Sequence, residues 1–335
     1  MNEQVLMVVR PVAIFGAVMT LVPMLVLAER RICAWIQNRV GPNRVGPQGL
    51  LQPLADVLKL CFKQDLWPGG ADRFLYPWAP MLAFVPPALA YAAIPVGRDL
   101  QIAHMGIGVL FAISATSLGV YGIALGGWAS NSKFALLGGL RSSAQIISYE
   151  IAMGLSLVAL LMVSGTVDLQ AIVTSQKGIL SWNVFYQPVA FVLFLVAAFA
   201  ENNRLPFDLP ECESELVGGY HTEYSSTRFA TFFLGEYIAM VTMSSLLVTL
   251  FLGGWDPGFF TLPDGIFGTA LSVVVFSTKV LLVLFFYIWV RWTLPRFRYD
   301  QLMHLGWKAL IPIGIINIAV TAIVIGLRDL LSKGS

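Results

Sequence analysis

The sequence predicts an all-α integral membrane protein, a bundle of eight transmembrane helices with amphipathic helices at the cytoplasmic interface. Of its 335 residues 57% are hydrophobic and only 12% are charged, and its mean hydropathy is +0.75. A soluble domain cannot bury that much apolar surface, so the chain must face lipid. The apolar residues also form continuous runs, whereas a membrane β-barrel would show alternating segments of about ten residues.

Eight apolar runs approach the ~20 residues that a helix needs to cross a hydrocarbon layer about 30 Å thick. The predicted spans are Pro11 to Ala28, Leu75 to Val96, Met105 to Leu125, Ile146 to Val163, Val184 to Ala200, Phe229 to Leu252, Ile266 to Val290 and Leu310 to Leu327. The first run leads directly into "ERR" without a cleavage site, so we expect it to be retained as an anchor. Residues 1–335 then form a single membrane domain.

The basic residues predict the orientation of the bundle. Of the 21 Lys and Arg residues, fifteen lie in the loops that follow odd-numbered spans, and five lie on the other face. The positive-inside rule therefore places the large loops in the cytoplasm and both termini on the outer, periplasmic side.

Nothing in the sequence indicates a redox or metal centre of its own. Cys33, Cys61 and Cys212 lack C-x-x-C spacing, and the three histidines are scattered over separate loops. Neither a phosphate-binding loop nor a dinucleotide fingerprint occurs. We therefore expect no metal site and no cofactor bound by this chain alone.

The first large loop, 29–74, predicts an interfacial helix. Gly41-Pro42 and Gly46-Pro47 indicate a shaped turn. After it, apolar residues from Leu50 to Cys61 recur on one helical face and polar residues on the other, over a segment too short to span. A plain surface helix is the alternative, but the density of arginines beside Glu29 and Asp56 favours a functional role.

Three ionisable residues lie within predicted spans: Glu150, Glu236 and Lys279. Each costs at least about 2.5–3.5 kcal/mol at membrane depth, so each should face the bundle interior with a partner or water. They indicate either a proton path or an interhelical Glu–Lys pair that fixes packing.

The loop 201–228 is the most acidic part of the chain. Against Arg204 it holds six acids, namely Glu201, Asp208, Glu211, Glu213, Glu215 and Glu223. A short helix that begins at Pro210 and ends at Gly218-Gly219 would explain Glu211 and Glu213 as ordinary complements of the helix dipole. The remaining acids predict a cluster that can hold protons.

Four long motifs carry a family resemblance. The stretches "AERRICAWIQNRVGPNRVGPQGLLQPLADVLKL", "AENNRLPFDLPECESELVGGYHTEYS", "FLGEYIAM" and "RWTLPRFRYDQLMHLGWK" resemble the NuoH-type membrane subunit of respiratory complex I, the proton-pumping NADH:quinone oxidoreductase. The resemblance covers nearly the whole chain. It departs from the usual pattern at Gln64, where a glutamate is common, and at Cys212, where an alanine is usual.

The resemblance implies a component of an enzyme complex in the bacterial cytoplasmic (inner) membrane. With two peripheral subunits it would enclose a chamber for ubiquinone or menaquinone, while partner subunits hold FMN and iron–sulfur clusters and antiporter-like neighbours share the membrane arm. The implied entrance and chamber residues are Glu29, Arg30, Arg39, Ala55, Asp56, Arg204, Asp208, Glu211, Glu213, Glu215 and Glu223. The implied proton path comprises Glu150, Glu201, Glu236 and Lys279, and the implied docking residues, in the loop 291–308, are Arg291, Arg296, Arg298 and Asp300.

Three other functions remain open at this point. The membrane anchor of a membrane-bound hydrogenase or related electron-input complex has similar loops. A stand-alone secondary transporter would use intramembrane Glu and Lys for its substrate, but we find no inverted repeat. A purely structural scaffold would tolerate neutralisation of the charges.

Overall fold

The computed structural model describes residues 3–98, 100–209 and 216–333. Within these ranges the secondary structure is helical apart from one isolated β-bridge between Gly97 and Leu100. The helices are α1 (Glu3–Ile36), α2 (Gln52–Phe62), α3 (Leu75–Ala90), α4 (Gly108–Ala129), α5 (Lys133–Ser164), α6 (Leu169–Ser175), α7 (Asn183–Tyr186), α8 (Pro188–Glu201), α9 (Ser226–Phe251), α10 (Ile266–Thr293), α11 (Tyr299–His304) and α12 (Ile311–Lys333).

Six helical segments among the described residues are long and apolar enough to cross a membrane, which confirms the predicted all-helical membrane class. They comprise 9–36, α4, α5, α9, α10 and the segment 299–332, in which a π-helical turn joins α11 to α12. The other two predicted spans coincide with shorter helices. α3 has 16 residues before a 3₁₀ turn at Tyr91–Ala93, and α8 has 14 because it begins at Pro188.

α9 is the central helix of the bundle. It contacts α1, α3, α6, α8 and α10, and 78% of its most apolar window is buried, against 17–50% in the other five segments. Every residue from Val241 to Phe251 is buried. A helix that is surrounded on all sides carries few lipid-facing positions, so polar groups on α9 face the protein interior.

α1 continues beyond the predicted end of its span. Its 34 residues extend about 51 Å at ~1.5 Å per residue, well over the ~30 Å of hydrocarbon. The first helix-breaking pair is Gly41-Pro42, so the helix runs on through the charged "ERR" to Ile36. Glu29 and Arg30 are therefore held on a rigid helix rather than in the loop where we expected them.

The turn after α1 positions α2. Gly46 has φ +71°, a conformation that glycine adopts without strain, and Pro47 begins a 3₁₀ turn. At the other end of α2 the Ser226 hydroxyl donates to Leu60 O at 2.9 Å and to Lys63 O at 2.8 Å. Both ends of α2 are thus tied to the bundle, near the start of α9.

Candidate functional site

A cluster of buried charges lies where α1, α9 and α10 meet the segment after α8; we call it the charge cluster, and it comprises Glu29, Arg204, Glu236, Tyr237 and Arg291. Arg204 Nη1 donates to Glu29 Oε1 at 3.0 Å and Oε2 at 3.3 Å. Arg204 Nε lies 2.6 Å from Glu236 Oε1. Tyr237 Oη donates to Glu29 Oε2 at 2.6 Å, and Arg291 Nη1 also pairs with Glu29. One guanidinium therefore joins two carboxylates from different helices.

Arg204 is the centre of this cluster. Glu29 and Arg204 are each only 5% exposed, and the guanidinium lies over the Tyr237 ring at 4.5 Å from its centroid. Burial lowers the pKa of Arg204, but the carboxylates of Glu236 and Glu29 outweigh it and hold the pKa well above its ordinary value. The arginine therefore stays charged.

The segment that carries Arg204 is clamped to α5. Gln145 Nε2 donates to Ala200 O at 2.7 Å and to Phe207 O at 2.8 Å, one contact on each side of the turn. The same nitrogen lies 3.2 Å from Asn203 Oδ1, and Asn203 adopts φ +49°, which asparagine tolerates better than most residues. These contacts aim Arg204 at the charge cluster.

Asp208 forms a second ion pair nearby. Its Oδ2 accepts from Arg296 Nη2 at 2.8 Å, and Phe297 N donates to Pro206 O at 3.1 Å, so the 201–209 loop is joined to the chain after α10. Burial raises the pKa of the Asp208 carboxyl, and the Arg296 guanidinium only partly offsets this.

Two cavities flank the charge cluster. The outer cavity has a volume of about 220 Å³ and is lined by Glu29, Arg30, Arg39, Tyr237 and Arg291, together with four apolar or thiol side chains. The inner cavity is about 60 Å³ and includes Glu201, Glu236, Asn202 and Thr116 in its wall. The inner cavity has room for about two waters at ~30 Å³ each, with polar partners to hold them. Arg204 thus pairs with a carboxylate of each cavity.

The inner cavity leads towards Glu150. Glu201 interacts electrostatically with Glu150 and hydrogen-bonds Thr116, while Glu150 hydrogen-bonds Ser117. One carboxylate oxygen of each glutamate is buried without a partner among the described residues. Three of the four acids and bases expected along the proton path, Glu150, Glu201 and Glu236, therefore lie on one side of the bundle interior.

Lys279 lies elsewhere. Its Nζ donates to Leu252 O at 2.7 Å, Gly254 O at 3.1 Å and Asp256 O at 2.6 Å, directly after the end of α9. It also lies 4.5 Å from the centroid of the Trp182 ring. This is the end of the bundle opposite the charge cluster, which we call the far end. No Glu–Lys pair of the expected kind involves Lys279 among the described residues; Glu236 pairs with Arg204 instead.

The remaining predicted residues surround the cluster or lie apart from it. Arg30 Nη1 pairs with Asp56 at 2.6 Å, which joins α1 to α2 beside Ala55. Tyr76 Oη donates to the backbone carbonyl of Glu223 at 2.8 Å. Arg298 and Asp300 are exposed at the start of α11. Glu211, Glu213, Glu215, Cys212 and the helix predicted from Pro210 lie outside the described residues.

Sequence reasoning missed several residues of the site. Tyr237 follows Glu236 directly, yet its hydroxyl contacts Glu29, 208 positions earlier in the chain. Gln145 was visible as an amide five residues before Glu150, and amides in an apolar run need partners as charged groups do. Within the described residues no group of three or more His, Cys, Asp or Glu side chains could hold a metal ion.

Comparison with known proteins supplies the family. The family model described as NADH dehydrogenase matches residues 9–322. The chain is 53% identical over 324 residues to the first of the H-type subunits of NADH-quinone oxidoreductase from Geobacter metallireducens, covering 94% of this chain and 95% of the relative. It is 48% identical over 325 residues to "NADH-quinone oxidoreductase subunit 8" of Rhodothermus marinus, covering 94% and 95%. Together with the charge-rich membrane bundle, these matches show that the chain belongs to the NADH dehydrogenase family, as a homologue of the H-type membrane component of the NADH-quinone oxidoreductase complex.

Proposed function

We propose that this chain forms much of the quinone-binding chamber of the complex and couples quinone reduction to proton translocation through its buried carboxylates. The observation that carries the proposal is the position of Arg204. It pairs with Glu29, which lines the outer cavity, and with Glu236, which lines the inner cavity. A change of charge in one cavity therefore alters the balance of a single guanidinium shared with the other.

The chemistry of quinone reduction supplies such a change. A quinone takes up two electrons and two protons, and the added electrons place negative charge on its oxygens. An anionic oxygen near the outer cavity attracts Arg204 and Arg291 and weakens their hold on Glu29 and Glu236. A carboxylate that loses its cationic partner in a buried site binds a proton more readily. Glu236 would then take up a proton from water in the inner cavity, next to Glu201 and Glu150.

We also propose the arrangement in the membrane. The charge cluster faces the cytoplasm, both termini lie on the outer side, and α3 and α8 with their adjoining turns cross as the seventh and eighth spans. α2 lies in the interface, which its exposed apolar side chains support: Leu54 is 57% and Phe62 87% exposed. A quinone tail would enter from lipid between α2 and the outer cavity.

Electrons and partners come from the rest of the complex. Partner subunits would hold FMN and iron–sulfur clusters, and the chain after α10, with Arg291, Arg296, Arg298 and Asp300, would dock the peripheral subunits. Ubiquinone and menaquinone both fit this chemistry.

The test separates chemistry from coupling. Glu236→Gln keeps the side-chain shape but removes the charge that Arg204 holds, in the complex reconstituted into proteoliposomes. We expect quinone reduction and proton pumping to fall together, by tenfold or more, while NADH oxidation by an artificial acceptor stays intact. Asp329→Asn, an exposed acid on α12, is the matched control. Wild-type pumping in Glu236→Gln would refute the coupling role.

A further inference from the structure

A large cavity lies at the far end of the bundle, away from the charge cluster and the proposed proton path. Its volume is about 620 Å³, within the ~300–1,000 Å³ typical of ligand sites. Its walls come from α6 and the turn after it, from Arg98, and from the loop 255–262 between α9 and α10.

The cavity wall offers hydrogen-bond donors that lack acceptors. Trp255 is 7% exposed, and its indole N–H is buried without a partner among the described residues. Lys177 lines the same cavity and makes no ion pair within the described part of the chain. A buried N–H left unpaired costs free energy, so this part of the wall suits an anionic acceptor.

The wall also offers acceptors. Gln170 Oε1 is buried and unpartnered among the described residues. The Asp256 carboxylate lines the cavity too, and its Oδ2 accepts from Gly178 N at 3.3 Å, a long contact that leaves acceptor capacity. Arg98 is already paired with Asp264 at 2.7 Å. A ligand that satisfies the whole wall therefore carries both an anionic oxygen and a cationic N–H group.

The surroundings identify where such a ligand comes from. Apolar and aromatic side chains near the cavity are largely exposed: Leu180 82%, Phe259 80% and Ile266 92%. Aromatic and aliphatic side chains of this kind are typical of the boundary between lipid and water. The cavity thus opens at the depth of phospholipid headgroups.

We propose that this cavity binds the headgroup of a phospholipid that carries both a phosphate and a primary amine. The phosphate accepts from Lys177 and from the Trp255 indole N–H. The ammonium donates to the Asp256 carboxylate and to Gln170 Oε1. The acyl chains leave past Phe259 and Ile266.

The experiment uses the purified intact complex in liposomes that contain a photoactivatable phosphatidylethanolamine. We expect cross-links to peptides that contain residues 255–262. A photoactivatable phosphatidylglycerol, which has the phosphate but no amine, should cross-link about fivefold less, and millimolar inorganic phosphate should not compete. Equal labelling by both lipids, or displacement by inorganic phosphate, overturns the amine-specific site. Absence of any lipid label at 255–262, because a partner protein covers the loop, overturns it as well.

Two variants test the two ends of the headgroup separately. Asp256→Asn keeps the bond from Gly178 N but removes the charge, so labelling by phosphatidylethanolamine should fall to the level of phosphatidylglycerol. Lys177→Gln should lower labelling by both lipids by about fivefold, as expected for one basic contact to lipid phosphate. Lys133→Gln, at the start of α5, is the control and should change neither. If both variants assemble and label like the wild type, the proposal is wrong.

Discussion

At the residue scale, Lys279 shows how one buried cation can be fully satisfied without taking part in proton transfer. An ammonium group has three N–H donors, and the three carbonyls beyond α9 accept one each. The end of a helix also carries partial negative charge, which favours a cation there. We infer that Lys279 joins α10 to the end of α9 and is not part of the proton path that the family resemblance implied.

Replacing this lysine tests that inference. Lys279→Met leaves three carbonyls without their donor and should destabilise the complex by about 1.5–3 kcal/mol. The thermal unfolding midpoint of the purified complex measures this loss. Quinone reduction and pumping per assembled complex should stay close to wild type. A variant of normal stability that no longer pumps would return Lys279 to the proton path.

His221 gives a second prediction at this scale, on pH. It ends the 3₁₀ turn Gly219–His221 and packs against Phe229, with ring centroids 5.3 Å apart. Burial lowers the pKa of His221 to about 4, from its ordinary value of about 6.5. Because the folded state holds the neutral form, the contribution of His221 to stability is present above pH ~6.5 and is lost as the pH falls towards 4.

We therefore expect the turn to open more readily at pH 5.5 than at pH 7.5, measured as protease susceptibility of the 219–225 segment. In His221→Leu, which has no group to protonate, that difference should shrink. His104→Gln, whose parent side chain is 67% exposed, is the control and should retain it. An unchanged pH response in His221→Leu would show that another group controls the turn.

At the element scale, α3 and α4 approach each other very closely. A Cβ built on Gly122 would lie 2.3 Å from Ala83 N and 2.7 Å from Ala83 Cα, so the two backbones touch. Close approach through a small residue is a common way for helices to associate in membranes, where lipid removes the hydrophobic driving force. Both α3 and α4 hold residues that line the inner cavity. The contact therefore also fixes the shape of that cavity.

Gly122→Ala should accordingly push α3 and α4 apart. Overpacking of this kind costs about 1–3 kcal/mol, and we expect less assembled complex and a lower thermal midpoint. Gly154→Ala, on α5, is the matched control because nothing lies within 4 Å of its added Cβ. Equal yields and midpoints for both variants would contradict the tight packing described here.

The elements also show which parts of the fold the sequence could reveal. Continuous apolar runs identified the long helices, because hydrophobic length is set by the bilayer and is a local property. The end of α1 was misplaced because a hydropathy window stops at "ERR", whereas the helix continues until glycine and proline break it. The energetic cost of Glu236 flagged the right helix, but its partner Arg204 comes from a loop 32 residues earlier, and no local pattern reports that pairing.

At the scale of the whole molecule, the distribution of basic residues predicts that the end with the charge cluster faces the cytoplasm. Cys61 provides a probe, since it is exposed on α2. In a variant that keeps Cys61 as its sole cysteine, a membrane-impermeant maleimide should label inside-out vesicles and spare right-side-out vesicles. Leu180→Cys in a background without other cysteines, at the far end, should show the opposite pattern. Labelling of Cys61 from the outer side alone would invert the proposed topology.

The sharing of Arg204 between two acids has a consequence for how this protein can vary over generations. Loss of Glu29 or Glu236 alone leaves Arg204 with excess positive charge in a site that excludes water, and loss of Arg204 strands both acids. A lineage that alters this centre must therefore pass through an impaired intermediate or acquire several substitutions together. Libraries that randomise the three positions jointly should yield functional combinations that no stepwise series of single changes can reach.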